Sequence, residues 1–387
     1  MKVAIFTDND FAKVNGVTTT LRAVLEHTPD DVDARIYTCD DTGLDTDDYL
    51  SLPAFGFGIP FYREMKMYMP PVRRLIRHLV ADGTDLLHFT TPGPVGLAAI
   101  WAQHRLRLPM IGSFHTDLEA YANLLSGSPS LGRLMGGYLR WSYSRCERIL
   151  APSDATRTML THSGIAPSRI DIWRRGVSTT LFDPRKRSAA MRERWGVSDR
   201  RPALVYVGRL SKEKGLHALV PITRTLDYGG MAYRLVIIGD GPMGAELRDR
   251  CPGAVFTGTL AHEDVAVALA SADIFVFPSR TDTAGNVVLE AQASGVPVLV
   301  SDQGGPRENL DPGVSGFICR NEIDFARRAA ELMRNQTKRR QFGDAARRYA
   351  HGRHWEVALE PLYRAYAAAG LERVRPPFGA HAAVAAK

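Results

Sequence analysis

Short apolar runs, each ended by polar or turn residues, recur along this chain with helical stretches between them, and that rhythm leaves few folds open. KVAIFTD, DARIYTC, DLLHFTT, PMIGSFH and RILAPS read as strands in the first half, being short, apolar and bounded. Helical patterns around residues 16–27, 70–82, 94–106 and 131–145 separate them. Such alternation implies a parallel sheet covered on both faces. PALVYVGRL, YRLVIIGDG, AVFTGT, DIFVFPS, VPVLVSD and GFICR repeat the rhythm in the second half. Between the halves, from Asp183, a charged stretch reads as a linker. The expectation is an α/β chain of two doubly wound, Rossmann-like domains, 1–182 and 183–353. Ligands of such sheets bind outside the carboxyl ends of the strands. A last helix, 354–370, is expected to pack back on the first domain, and 371–387 to be a disordered tail.

Composition narrows the class. Cys39, Cys146, Cys251 and Cys319 lie far apart, which fits reduced thiols in a cytosolic protein and not a disulfide framework or zinc site. The amino terminus lacks the apolar core of a signal peptide, and no run approaches the ~20 apolar residues that span a bilayer. A net charge of +7 suits phosphorylated substrates, anionic lipid or plain solubility. Nucleic acid is the weakest option, since no zinc-finger spacing or RNA-sheet aromatic motif is present.

The stretch TDTAGNVVLEAQASG, 281–295, carries the sharpest signal. Its helix is apolar nearly all round, as buried helices are, yet Glu290 sits in its middle and Asp282 just before its start. A buried carboxylate needs a partner: either one of the many arginines or the hydroxyls of a ligand such as a ribose. Asn286 lies four residues earlier on the same face. The first amides, at Gly285, Asn286, Val287 and Val288, form a positive end that suits phosphate. Asp282 either caps the helix or touches a sugar.

Other motifs are weaker alone. GRLSKEKG follows a strand and holds Arg209 and Lys214, either a diphosphate clamp or a solvated basic loop. GDGPMG, beginning at Gly239, matches the dinucleotide fingerprint. The next strand, AVFTGT, ends without the acid that a nicotinamide ribose needs, which argues against an oxidoreductase. Gly239 then marks a loop beside a nucleotide base or an ordinary turn. Asn15 and Gly16 open a helix after the first strand, and His115 ends another strand; each is a ligand contact or a structural group. Asp8, Asn9 and Asp10 read as a strand-end loop rather than a metal site. Residues 55–79 mix aromatics, methionines and arginines, which fits an anionic lipid surface, an acceptor loop or a solvated basic helix.

Together VNGVTTTL, SFHTD, RRGVS, GRLSKEKG, GDGP and DTAGNVVLEAQASG resemble the retaining glycosyltransferases of family 4 across essentially the whole chain. The resemblance implies the GT-B fold, two Rossmann-like domains around a cleft. It is finest to GDP-mannose-dependent α-mannosyltransferases, with sulfoquinovosyl and glucosyl lipid transferases as the alternative. It further implies a nucleotide-sugar donor, a hydroxyl acceptor, lipid-linked or not, no metal and no other cofactor. By that resemblance Arg209 and Lys214 bind the diphosphate, Glu290 the ribose, the amides near Asn286 to Val288 a phosphate with Gly16 opposite, and the backbone at Leu260 the base. His115 and Asp282 contact the transferred sugar. It departs from the family pattern at Asp282, commonly Glu; at Ala284, usually Phe or Leu; and at Ser178, often Asp. The implied place is the cytoplasm, either free or peripheral at the inner face of the cell membrane. A nucleotide-sugar-binding protein without catalysis is the remaining rival.

Overall fold

The computed structural model describes residues 1–11, 15–41, 43–59 and 62–374. Among them, a seven-stranded parallel sheet runs in the order Tyr49–Pro53, Asp33–Asp40, Lys2–Phe6, Leu86–Phe89, Met110–Ser113, Ile149–Ala151, Ile170–Ile172. A six-stranded parallel sheet follows: Val255–Gly258, Arg234–Ile238, Ala203–Val207, Ile274–Phe277, Val298–Ser301, Gly316–Cys319. Strands such as ALVYV and IFVF are buried at every position, as strands covered on both faces must be.

Local chemistry sets the helix ends that matter for the site. Helix Gly16–Glu26 starts in a capping box, in which Asn15 accepts from the Thr18 amide and Thr18 answers the Asn15 amide. Helix Pro94–Leu106 has no side-chain cap of its own. Asp8 supplies it from the end of the first strand, accepting the Gly93 and Val95 amides at 3.0 and 2.8 Å and the Thr91 hydroxyl at 2.7 Å. Burial lifts the Asp8 carboxyl to about 6 against those bonds.

Apolar packing covers both faces of the first sheet, and one of the covers comes from the far end of the chain. Helix Trp355–Val374 sets Leu359, Leu362 and Tyr366 against Val3, Ile5, Leu86 and Ile111. Four of its residues lie in the stretch read as tail from 371, so 371–374 are helical; residues 375–387 lie outside the described ones. A second correction concerns 55–79. Phe55–Ile59 and Tyr62–Met69 form an antiparallel hairpin, and only Val72–Asp82 is helical. Pro60 and Phe61 lie outside the described residues.

Candidate active site

The two sheets meet along a seam, and the seam is made of the residues that the sequence singles out. Helix Asn286–Ala293 begins at Gly285, whose φ of 73° is the left-handed conformation that glycine adopts without strain. Among the described residues no side chain caps this helix, and its Val288 N–H donates to the Gly285 carbonyl at 3.0 Å. Asn286 Nδ2 donates to the Gly16 carbonyl of the first domain at 3.2 Å and lies 3.4 Å from Thr20 Oγ1. A Cβ on Gly16 would stand 3.6 Å from Asn286 Nδ2. Gly16 and the helix start, far apart in sequence, are therefore neighbours.

One loop earlier, Thr283 donates its hydroxyl to the His115 carbonyl at 2.8 Å. Asp282 Oδ1 accepts from Lys214 Nζ at 2.6 Å, both side chains being mostly buried. Burial alone would drive the Lys214 ammonium down; Asp282 overrides it and holds the group above its ordinary value. The other Asp282 oxygen, Oδ2, is buried with no hydrogen-bond partner among the described residues. The loop is fixed from behind: Gly305 N–H donates to the Asp282 carbonyl at 2.8 Å, and Asn309 to the Ala284 carbonyl at 2.6 Å. A Cβ on Gly305 would come within 1.9 Å of the Thr283 oxygen.

Arg209 and Lys214 stand in one turn after strand Ala203–Val207. Tyr206 ties that turn down by donating to the Arg209 carbonyl at 3.0 Å. Helix Leu118–Ser126 of the first domain packs over Lys212–Lys214. Glu290 is also mostly buried, and the group beside it is the His262 imidazole, whose Nε2 is 3.8 Å from Oε1, rather than an arginine. Glu290 raises the His262 imidazole above its ordinary value. Val287 is half-buried and Val288 fully buried against the second core.

Gly239 has a tighter duty than the fingerprint reading gives it. Its φ is 128°, its amide donates to the Gly258 carbonyl at 2.9 Å, and a Cβ there would sit 2.0 Å from the Gly208 carbonyl oxygen. Three strand-end loops close on one another at that point. Leu260, just past Gly258, is half-buried against the second core.

His115 is where sequence reasoning saw least. Both ring nitrogens are engaged inside the protein, Nε2 with Ser113 Oγ at 2.8 Å and Nδ1 with Arg175 Nη2 at 3.1 Å. Burial first, then Arg175, hold its pKa well below the ordinary value. Glu308 was also missed: it reaches from the second domain to cap helix Asp154–His162 of the first, accepting the Asp154 and Ala155 amides at 2.7 and 2.8 Å. Arg175 lies in RRGVS and Thr283 in TDTAGNVVLEAQASG, but residue type alone does not announce a contact across domains. Among the described residues, no group of three or more His, Cys, Asp and Glu is placed to hold a metal ion.

The architecture has a counterpart among solved structures. It superposes on sucrose-phosphate synthase of Thermosynechococcus elongatus with a TM-score of 0.76 at 19% identity, over 95% of this chain and 99% of that one, which is a likeness of fold, the GT-B fold. In sequence, residues 14–181 match the model of Glycosyltransferase Family 4 and 188–349 that of Glycosyl transferases group 1. The chain is 31% identical to a GDP-mannose-dependent alpha-mannosyltransferase of Corynebacterium glutamicum over 95% of its own length and 89% of the relative's. It is 28% identical to the sulfoquinovosyl transferase SQD2 of Arabidopsis thaliana, over 93% and 72%. The chain belongs to the family 4 glycosyltransferases, and it is a glycosyltransferase.

Proposed function

We propose that this enzyme moves mannose from GDP-mannose, with retention, to a hydroxyl acceptor borne by a lipid or glycolipid. The observation that carries the reading is the seam itself. A cationic turn, an uncapped helix start and two carboxylates, Asp282 and Glu290, stand at the carboxyl ends of two facing sheets. In this reading Arg209 and Lys214 hold the diphosphate. The amides at Gly285, Asn286 and Val287 hold a phosphate with Gly16 opposite, the Val288 N–H expected to join them being spent on the Gly285 carbonyl. Glu290 holds the ribose, the Gly239 loop and Leu260 border the base, and His115 and Asp282 border the sugar. The leaving diphosphate gathers negative charge as the bond to the sugar breaks, and fixed cations in a dry site stabilise that charge. Its oxygen takes the acceptor proton on the face from which the acceptor attacks. The reading uses no metal.

Near-full-length likeness to the Corynebacterium enzyme supports the choice of donor. The Arabidopsis relative supports a second reading, a UDP-sugar donor carrying glucose or sulfoquinovose. Hydrolysis of GDP-mannose, UDP-glucose and UDP-sulfoquinovose, each with excess EDTA, separates the two. GDP-mannose is expected to turn over fastest, and EDTA to change nothing. A faster UDP-sugar would transfer the assignment to the second reading, and turnover of none would leave a binding protein.

Glu290→Gln tests the ribose contact. The variant is expected to melt like the parent and to bind GDP about tenfold more weakly, since charged hydrogen bonds exceed neutral ones by ~1–2 kcal/mol. Calorimetric titration beside a thermal melt reads both. A collapsed melting temperature with unchanged affinity in the folded fraction would make Glu290 a structural partner of His262.

The lipid side rests on the hairpin and the helix after it. Register puts Phe55 and Phe57 opposite Met69 and Met67, so all four share one face. Phe55 is 77% and Met69 56% exposed. Arg73, Arg74 and Arg77 are exposed on the following helix. An apolar edge beside a cationic one suits an anionic lipid surface, such as the cytoplasmic face of the cell membrane. Among the described residues no helix is long and apolar enough to cross a membrane. Reversing the three arginines to Glu is expected to abolish cosedimentation with anionic vesicles, at ~1 kcal/mol per charge, and to spare donor hydrolysis. Equal binding of the parent to anionic and neutral vesicles would assign the surface to solvent or to a soluble acceptor.

A further inference from the structure

Behind the seam, four hydrogen bonds run in series from an arginine to the C-terminal helix. Arg175 Nη2 meets His115 Nδ1 at 3.1 Å, and His115 Nε2 meets Ser113 Oγ at 2.8 Å. Ser113 Oγ meets His88 Nε2 at 2.8 Å, and His88 Nδ1 meets the Tyr366 hydroxyl at 2.7 Å. Arg175 is 2% exposed; Ser113, His88 and Tyr366 are fully buried. A guanidinium carries donors and no acceptor. His115 Nδ1 must therefore accept, its proton sits on Nε2, and Nε2–H donates to Ser113. Ser113 Oγ, with one proton and two lone pairs, then either donates to His88 Nε2 or accepts a second N–H from it, with the Tyr366 hydroxyl answering at Nδ1. The cation at the end of the chain fixes the His115 tautomer.

Arg175 is the costly member. Among the described residues its partners are His115, the Trp173 and Phe114 carbonyls at 3.3 and 3.4 Å, and the face of Trp173, 4.5 Å from the ring centre. None of these is a carboxylate. Burial pulls its pKa down to about 9, so it stays charged at neutral pH. A buried cation without a counter-ion lowers stability, and packing alone gives no reason to keep one. Beside it, a second cation is disfavoured: burial first, then Arg175, pushes His88 down to about 3.

We propose that Arg175, Ser113, His88 and Tyr366 are positioning residues for sugar transfer. They lock His115 in the Nε2-protonated tautomer with both ring nitrogens occupied. His115 then meets the sugar as a fixed wall of the site and not as an acid or base. The inference rests on the reading that His115 borders the transferred sugar. It also makes the last helix, which carries Tyr366, part of the support of the active site.

The test combines spectroscopy with kinetics on the full chain. Two-bond nitrogen–proton spectra of histidine-labelled enzyme, assigned with His115→Gln and His88→Gln, read each tautomer directly. The parent is expected to show the proton on Nε2 of His115. Arg175→Met is expected to give mixed His115 tautomers and a kcat lower by about a hundredfold, with donor KM within about twofold, because displacement of a site wall by an ångström has that scale. Arg175→Lys, again a donor without an acceptor, should restore the tautomer and part of kcat. If Arg175→Met does not fold, Ser113→Ala breaks the series at its middle and is expected to lower kcat about tenfold at unchanged KM. A parent His115 protonated on Nδ1 overturns the proposal, as do variants whose kcat follows only their folded fraction. His115→Ala separates the two layers: full transfer by that variant removes His115 from the sugar site. An inactive His115→Ala beside a fully active Ser113→Ala removes only the relay.

Discussion

Lys214→Ala is expected to lose about a hundredfold or more in kcat, because one charge-assisted contact to a developing anion in a dry site is worth roughly 3 kcal/mol. The geometry makes Lys214 a better candidate than its neighbour in the same turn. Its ammonium is mostly buried, held at 2.6 Å by Asp282 and covered by helix Leu118–Ser126. Lys212, two residues earlier, is exposed. Lys212→Ala is therefore expected to turn over within about twofold of the parent, since exposed charges contribute little. Donor KM should rise in Lys214→Ala as well, because Asp282 loses the cation that orients it. Steady-state hydrolysis of the preferred donor by both variants is the check, and equal rates for the two would remove Lys214 from the diphosphate site.

The second large effect falls on stability. Gly239→Ala is expected to destabilise the second domain by roughly 3 kcal/mol or more, the joint cost of a φ foreign to L-residues and of forced overpacking. A methyl group there has to displace the Gly208 carbonyl, 2.0 Å away, at a φ of 128°. Those two loops close the ligand edge of the sheet, so relief by movement spoils the turn that carries Arg209. In a domain of this size the melting temperature should fall by about 10 °C. Gly253→Ala is the control: an added Cβ meets nothing within 4 Å, and its melting temperature should not move. An unshifted Gly239→Ala would mean that the GDG turn is open enough to serve as a true dinucleotide loop.

Much of this was legible in the residues, for a physical reason. Parallel strands buried on both faces are written as unbroken apolar runs, so IFVF, LVYV and their kin announce themselves. Because such sheets bind ligands at strand ends, Gly16, His115, Arg209 and Asn286 could each be placed at the correct edge without knowing which faced which. Contacts between distant segments were not legible. Asp8 reads as a loop residue because its role depends on amides 85 to 88 positions away. The hairpin was lost in a stretch where glycines and aromatics alternate with period two, FGFGI, a pattern that weakens strand signals. Arg175 was invisible as a buried residue because arginines are mostly exposed; only the fold puts it beneath His115. The three-residue strand Ile170–Ile172 is too short to carry any period.

The central claim is transfer of a sugar, with its anomeric configuration kept, from a nucleotide donor held across the two sheets. The most direct measurement is the one-bond carbon–proton coupling at the anomeric centre of the product formed from the donor that turns over fastest. From GDP-α-mannose the expected product is the α-mannoside. A β-mannoside would contradict the account, because it would require attack from the face opposite the diphosphate.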